Sequence, residues 1–198
     1  MALEPNELTG YEVVLCATGG IACYKAAEVV SKLVQAGAGV SVAMTGAAQK
    51  FVAPLTFQSL SGRQVFTSTW EASERYDPQH IGLTDRADLM IVAPATANII
   101  GKLANGLADD LVSALAMTAL SVCPILLAPA MNTRMWENPI VQGNLRRLAE
   151  VGILTVGPGE GWLACRTIGK GRMAEPAEIL AAARDILRKQ PPKAPAGK

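Results

Sequence analysis

The sequence predicts an α/β fold, a doubly wound parallel sheet with helices on both faces. Short apolar runs of strand length alternate along the chain with segments of helical periodicity. The chain has 198 residues and is 50% hydrophobic but only 5% aromatic, which suits close packing of helices on a sheet better than a β-sandwich. We expect a single Rossmann-like domain, because two separate cores would each be unusually small. Residues 1–189 form this domain, and the Pro-containing residues 190–198 form a linker-like tail.

The first predicted unit is a strand, a glycine turn and a helix. Residues 12–18 are a short apolar run that ends at Gly19-Gly20, and apolar residues then recur at helical spacing over residues 21–35. Residues 40–44 form the second strand, and a short helical stretch follows. Such a βαβ unit requires a parallel sheet with a right-handed crossover.

The rest of the chain continues this alternation after an irregular stretch. Residues 54–79 predict only a short helix, a strand and a loop. Further strands are predicted at residues 88–93, 124–128 and 153–156, and helices at 94–103, 109–120, 139–151 and 175–189. The glycine-rich segment 157–173 has little periodicity, which is typical of a mobile flap over a site.

The charge balance indicates a small-molecule ligand. Lys and Arg number 18 against 17 Asp and Glu, with no long basic run. We therefore expect neither a nucleic acid nor a membrane surface as partner. The apolar stretches are shorter than the roughly 20 residues of a membrane span, and the N-terminus lacks a signal-peptide pattern. These features predict a cytoplasmic protein.

The four cysteines predict reduced thiols and no metal site. They lack both the density of a disulfide scaffold and the C-x-x-C spacing of zinc or redox sites. Cys16, Cys23 and Cys123 fall inside predicted strands and helices, as inert core residues do. Cys165 lies in the glycine-rich segment, where a thiol has no obvious packing role.

In a doubly wound sheet a ligand binds beyond the carboxyl ends of the strands. The loops there are residues 18–21, 45–51, 94–98 and 129–136. The glycine turn allows a phosphate to approach backbone amides, although a tight turn without ligand has the same sequence. Thr96 and Asn98 can hydrogen-bond a flavin ring edge or ribityl chain, and Thr96 can also cap a helix.

Two polar residues stand out as candidates for catalysis. His80 is the only histidine, so any imidazole base must be this residue, although a lone histidine before a helix is more often a cap or surface residue. Asn132 follows a predicted buried strand. The neighbouring Met131, Met135 and Trp136 are typical of a core, whereas Asn132 is not.

Taken together, several motifs resemble the homo-oligomeric flavin-containing cysteine decarboxylases. They are GGIA-x-YK at 19–25, His80, PATAN at 94–98, PAMN-x-x-MW at 129–136, and LAC at 163–165 followed by GRM at 171–173. The resemblance extends over about residues 11–189 and implies FMN as the cofactor. The residues that it places around FMN are Gly19, Gly20, Ile21, Thr45, Phe51, Ala95, Thr96, Ala97, Asn98 and Ala130.

The resemblance also implies catalytic roles and a substrate. Asn132 would hold the substrate carboxylate and amide, His80 would assist oxidation, and Cys165 would supply the final proton. The flap cysteine is typical of the phosphopantothenoylcysteine decarboxylase branch of the family. That branch converts 4'-phosphopantothenoylcysteine to 4'-phosphopantetheine in coenzyme A biosynthesis, through a thioaldehyde and an enethiol.

Family members form homotrimers or assemblies of trimers, and bacterial members are usually fused to a phosphopantothenoylcysteine synthetase domain. That domain is not among these 198 residues, so we expect either the N-terminal part of a longer protein or a free-standing enzyme. Three alternatives differ in their motifs. A peptidyl-cysteine decarboxylase of lanthipeptide maturation stops at the enethiol and does not need Cys165. A flavin prenyltransferase would lack the motif Asn132-x-x-Met135-Trp136, and a non-catalytic regulatory flavin-binding subunit would have lost catalytic residues.

Overall fold

A six-stranded parallel sheet crosses the centre of the structure, a computed structural model that describes residues 4–68 and 79–193. The strands, in sheet order β3-β2-β1-β4-β5-β6, are β1 (Glu12–Ala17), β2 (Gly39–Met44), β3 (Val65–Phe66), β4 (Leu89–Ala95), β5 (Ile125–Pro129) and β6 (Leu154–Thr155). Each neighbouring pair is parallel. The predicted doubly wound α/β fold is therefore confirmed.

Helices cover both faces of the sheet. They are α1 (Cys23–Gln35), α2 (Pro54–Ser61), α3 (Gln79–Arg86), α4 (Ala97–Ala104), α5 (Leu111–Ala119), α6 (Thr133–Trp136), α7 (Pro139–Glu150) and α8 (Pro176–Leu187). One apolar core lies between the sheet and α1, α2 and α8, and a second lies between the sheet and α3, α4, α5 and α7. Successive residues of β1 alternate between them, as the pleat requires: Leu15 belongs to the first core and Cys16 to the second.

Among the helices of the described ranges, none combines the length and hydropathy needed to cross a bilayer. The same part of the chain holds no group of three or more side chains suited to bind a metal ion.

The glycine-rich segment 157–173 contains regular structure that the sequence did not predict. Its two strands, β7 (Gly159–Trp162) and β8 (Ile168–Arg172), pair antiparallel as a hairpin. Alternate positions of both strands are glycine, at 159 and 161 in β7 and at 169 and 171 in β8, which removes the hydrophobic alternation by which strands are recognised. The boundary at Pro94 also differs: this residue belongs to β4, and α4 begins after Thr96.

The chain beyond α8 lies against the amino ends of the strands. Tyr11 Oη donates a hydrogen bond to the Gln190 carbonyl at 3.0 Å. The backbone N–H of Lys193 donates to Asp88 Oδ1 at 2.8 Å, and Asp88 Oδ2 accepts the N–H of Glu12 at 2.7 Å. Residues 190–193, predicted as the start of a tail, thus make specific contacts with the sheet end opposite the predicted ligand loops.

Candidate active site

A cleft of about 980 Å³ lies at the carboxyl ends of β1, β2, β4 and β5. It is centred where the strand order reverses between β1 and β4, the position at which doubly wound folds bind ligands. The β7–β8 hairpin contributes the wall that faces these loops. The predicted site residues that line the cleft are Gly19, Gly20, Ile21, Thr45, Thr96, Ala97, Asn98, Ala130, Asn132 and Cys165.

Three predicted residues are placed differently. Ala95 ends β4 and is fully buried beneath the cleft lining. Phe51 follows a short 3-10 turn at Ala48–Lys50, is 49% exposed and lies outside the lining. His80 belongs to α3, but its side chain lies outside what the structure describes, so its catalytic role stays a prediction.

One end of the cleft has the geometry of an anion site. The N-cap of α1, Ala22, makes no side-chain capping bond. The Cys23 and Lys25 N–H groups donate to the carbonyls of Gly20 and Ala22 at 2.9 and 3.0 Å, so only the remaining amides of this helix start are open to solvent or a ligand. Gly19 is required because a Cβ at this position would collide with Ala47 of the neighbouring loop. Thr45 caps the 3-10 turn by accepting the Ala48 N–H at 3.2 Å. The loop after β1 thus contacts the loop after β2, beside the amides at the start of α1.

Thr18 ties together the loops at the switch point. Its hydroxyl donates to the Pro94 carbonyl at 2.6 Å and accepts the N–H of Thr96 at 3.3 Å. The Thr96 hydroxyl in turn accepts the Ile99 N–H at 3.4 Å, so the predicted cap of α4 is present. Thr18 is only 2% exposed. Sequence reasoning missed it because the residue reads as the last position of a strand.

Asn132 reaches the cleft from the turn after β5. Its side chain is the N-cap of α6 and accepts the Met135 N–H through Oδ1 at 2.9 Å. This bond fixes the amide orientation, and Nδ2 makes no hydrogen bond within the described part of the chain. The exposed Nδ2 group is therefore an oriented donor at the cleft surface.

The hairpin packs closely on α6. A Cβ at Gly169 would collide with the side chain of Thr133, so β8 can approach this short helix only with glycine at that position. Thr133 Oγ1 is buried and has no hydrogen-bond partner within the described residues. The close packing of the two segments excludes water from this hydroxyl.

Cys165 differs from the other thiols in exposure. It lies in the hairpin tip, lines the cleft, and places Sγ 3.1 Å from Thr167 Oγ1. Burial raises the pKa values of Cys23 and Cys123 to about 11, and that of Cys16 still further. These three thiols are protonated at neutral pH, as expected of core residues.

Two ion-pair clusters border the cleft. Lys25, 8% exposed, donates to both carboxylate oxygens of Glu175 at 3.0 Å, and Arg172 of the hairpin contacts the same carboxylate at 2.6 Å. Hydrogen bonding from Lys25 lowers the pKa of Glu175. On the other side Lys102 contacts Asp110 at 2.6 Å. The sequence did not predict these ion pairs, because the paired residues belong to different segments and no local pattern relates them.

The Flavoprotein family model matches residues 1–188. The coenzyme A biosynthesis bifunctional protein CoaBC of Bacillus subtilis is 50% identical over 173 residues, which are 87% of this chain and 42% of that protein. The chain thus spans less than half the length of this curated relative.

Two solved structures match the fold. A cysteine-to-serine mutant of PPC decarboxylase complexed with pantothenoylaminoethenethiol superposes with a TM-score of 0.81 and 30% identity, covering 90% of this chain and 98% of that one. The FMN-dependent cysteine decarboxylase SpaF superposes with a TM-score of 0.76 and 26% identity, covering 90% and 96%.

Proposed function

The chain belongs to the Flavoprotein family, and from this premise we propose that it is an FMN-dependent decarboxylase that converts 4'-phosphopantothenoylcysteine to 4'-phosphopantetheine in coenzyme A biosynthesis. The observation that carries the proposal is the single cleft lined by the glycine turn, Asn132 and Cys165. The relatives named for coenzyme A biosynthesis and for PPC decarboxylase support the choice of substrate.

The cleft fits FMN by its donors and its shape. The uncapped start of α1 and the Gly19-Gly20 turn suit the phosphate, and small side chains such as Ala97 and Ala130 leave room for a flat ring. Bound FMN would accept a hydride from the substrate and return it later, so that no external reductant is needed. The family resemblance also implies FMN contacts for Ala95, which is buried, and for Phe51, which is exposed outside the lining.

The side chains would divide the work between binding and proton transfer. Asn132 Nδ2 would donate to the substrate carboxylate, and the Oδ1 bond to Met135 holds that donor in place. His80 would assist oxidation of the CH2–SH group to a thioaldehyde. The carboxylate is then β to a C=S bond, which accepts the electrons when CO2 leaves and gives an enethiol. Cys165 would protonate the enethiol carbon in the final step.

The proposal includes a homotrimer, or an assembly of trimers, in the cytoplasm, with a synthetase domain fused to or separate from this chain. Large exposed apolar side chains support assembly: Ile140 is 73% exposed, Ile168 74%, and Trp162, which lines the cleft, 63%. The bifunctional name of the curated relatives supports a synthetase partner. In the trimer His80 would act on an FMN held mostly by a neighbouring subunit.

Mixed assemblies test this arrangement. His80→Asn removes the proposed oxidation group, and Gly20→Asp places a negative charge at the proposed phosphate site. If His80 and the flavin loop belong to different subunits, mixing the two inactive variants should restore part of the activity. Two variants that stay inactive when mixed, although light scattering shows mixed trimers, would contradict the shared site.

The alternatives make different products. A peptidyl-cysteine decarboxylase would release an enethiol from a peptide; SpaF is named as an FMN-dependent cysteine decarboxylase, without a stated substrate. A regulatory subunit would bind FMN without releasing CO2. Cys165 favours the coenzyme A substrate, because only a reaction that reduces the enethiol needs this proton donor.

The deciding experiment is direct. Purified protein should be yellow, carry non-covalent FMN and release CO2 from 4'-phosphopantothenoylcysteine without added reductant. A peptide ending in cysteine serves as the competing substrate, and Gly20→Asp serves as the flavin-binding control. Flavin-loaded protein that leaves 4'-phosphopantothenoylcysteine unchanged would refute the proposed function.

A further inference from the structure

We propose that Thr167 is a positioning residue that holds the Cys165 thiol for proton transfer. This role in catalysis rests on the proposed function, whereas the contact between the Thr167 and Cys165 side chains is present in the protein without ligand. Cys165 Sγ and Thr167 Oγ1 are 3.1 Å apart, and either atom can donate the hydrogen bond. This is the one side-chain hydrogen bond that the structure gives to Cys165 within the described residues.

The hairpin tip brings these two side chains together. The Leu163 N–H donates to the Thr167 carbonyl at 2.8 Å, and the Arg166 N–H donates to the Leu163 carbonyl at 2.9 Å. Arg166 between them has a φ of 65°, a left-handed conformation that is uncommon for a residue other than glycine. The turn therefore reverses between Cys165 and Thr167 and leaves their side chains in contact.

A hydroxyl can serve both protonation states of a thiol. In the resting state Thr167 Oγ1 can accept the S–H of Cys165. When the S–H bond breaks and a C–H bond forms on the enethiol, the electron pair stays on sulfur. The same hydroxyl can then rotate and donate to the thiolate, a charge-assisted hydrogen bond. In the proposed reaction, reduced flavin would supply the hydride for the neighbouring carbon, and solvent would return the proton to the exposed thiol.

The contact also limits the orientations of Cys165. A free thiol on an exposed tip would distribute over three staggered rotamers. A partner hydroxyl favours the rotamer that keeps Sγ beside Oγ1, and Cys165 lines the cleft in this arrangement. Thr167 itself lies outside the lining, so it would act through Cys165 rather than on the substrate.

Alkylation of the free protein tests the contact without any turnover. Cys165 is exposed, whereas Cys16, Cys23 and Cys123 are at most 8% exposed, so iodoacetamide under native conditions should report on Cys165. Thr167→Val keeps the side-chain shape and removes the hydroxyl. The alkylation rate at a fixed neutral pH should fall about tenfold, because the thiolate loses a donor.

Two further variants distinguish the effect of the lost hydroxyl on the alkylation rate from an effect of altered packing. Thr167→Ser restores the hydroxyl and should restore the alkylation rate. Thr155→Val makes the same chemical change on an exposed residue of β6, outside the cleft lining, and should leave the rate at the wild-type value. Unchanged alkylation in Thr167→Val, or no recovery in Thr167→Ser, would overturn the contact.

Product analysis tests the positioning role. Thr167→Val should form the enethiol at the wild-type rate but convert it to 4'-phosphopantetheine about tenfold more slowly, and Thr167→Ser should recover. Normal conversion in Thr167→Val despite slowed alkylation would overturn the role. If the wild type binds FMN and leaves the substrate unchanged, the proposed function and this role both fail, while the alkylation result still decides the contact.

Discussion

The backbone N–H of Met131 donates a hydrogen bond to the carbonyl of Gly171 at 2.9 Å. This bond joins the turn that carries Asn132 to the hairpin that carries Cys165. The two proposed catalytic side chains come from segments 33 residues apart in sequence, and a direct main-chain bond sets their relative position. A substitution in the hairpin should therefore slow the proposed final proton transfer without altering the loops that would bind the flavin.

Gly171→Ala tests this coupling. Gly171 has a φ of 127°, which side chains rarely adopt, and a Cβ there would collide with the Met131 carbonyl. We expect a free energy of unfolding lower by about 1–3 kcal/mol and an increased fraction of enethiol among the products. Gly159→Ala in β7 is the matched control, since its Cβ would meet only the Arg172 carbonyl at 3.9 Å. Equal product ratios in both variants would contradict the coupling.

Asn132→Asp separates the helix cap from the proposed substrate contact. An aspartate can still accept the Met135 N–H, but it replaces the Nδ2 donor with a negative charge facing the substrate carboxylate. CO2 release should fall by at least about 100-fold, with the thermal midpoint unchanged within about 2 °C. Asn132→Ala should lose the cap as well, at a cost of about 1 kcal/mol. Substantial turnover by Asn132→Asp would remove this residue from the mechanism.

The ion pair between Lys102 and Asp110 predicts a specific pH dependence of stability. Burial acts to raise the pKa of Asp110, but hydrogen bonds from Lys102 and Ser113 outweigh it, and the pKa is lowered. The ionised Asp110 carboxylate therefore contributes to the free energy of unfolding. This contribution is fully present above the unfolded pKa of about 3.9 and is lost as pH falls through the lower pKa of the folded state. Asp110→Asn should retain the cap of α5 and cost about 1 kcal/mol at neutral pH.

Urea unfolding at several pH values and fixed chain concentration measures this difference. The gap in the free energy of unfolding between wild type and Asp110→Asn should begin to narrow below about pH 4 and close as the pH falls through the lowered pKa of the folded state. Asp185→Asn removes the carboxylate of an exposed pair with Arg184 and should change little at any pH. A gap that persists in acid would assign the effect of Asp110→Asn to packing rather than charge.

The sequence predicted the central sheet because each long strand contains a continuous apolar run, as in the predicted strand 88–93, which overlaps β4 at residues 89–93. It also predicted the loops at the strand ends, since strand order alone places ligands there. The hairpin was missed because glycines replace the alternating apolar residues of its strands. The Lys25–Glu175 pair could not be predicted, because nothing local relates two charges 150 residues apart.

The contacts of Lys193 predict that the stability of the domain depends on residues beyond α8. Lys193 Nζ donates to the Ala87 carbonyl at 2.8 Å and the Val122 carbonyl at 3.1 Å, where α3 and α5 have ended. Lys193→Ala should lower the free energy of unfolding by about 1–2 kcal/mol, with the denaturant slope unchanged. Lys189→Ala, at an exposed position, is the control. Equal midpoints would show that these contacts add no stability.

Cys165→Ser separates the proposed decarboxylation from the proposed final reduction. In the proposed reaction, oxidation and CO2 loss would use flavin, His80 and Asn132 but not the thiol, so this variant should still release CO2 in a first turnover. A serine hydroxyl is a far weaker acid than a thiol, and protonation of the enethiol should then be slow. Anaerobic mixing with substrate should leave the flavin bleached and yield a product lighter by a pair of hydrogen atoms. Asn132→Asp, which should be blocked at substrate binding and therefore before oxidation, is the control that should keep its flavin oxidised. Prompt reoxidation and normal product from Cys165→Ser would show that Cys165 only shapes the hairpin tip.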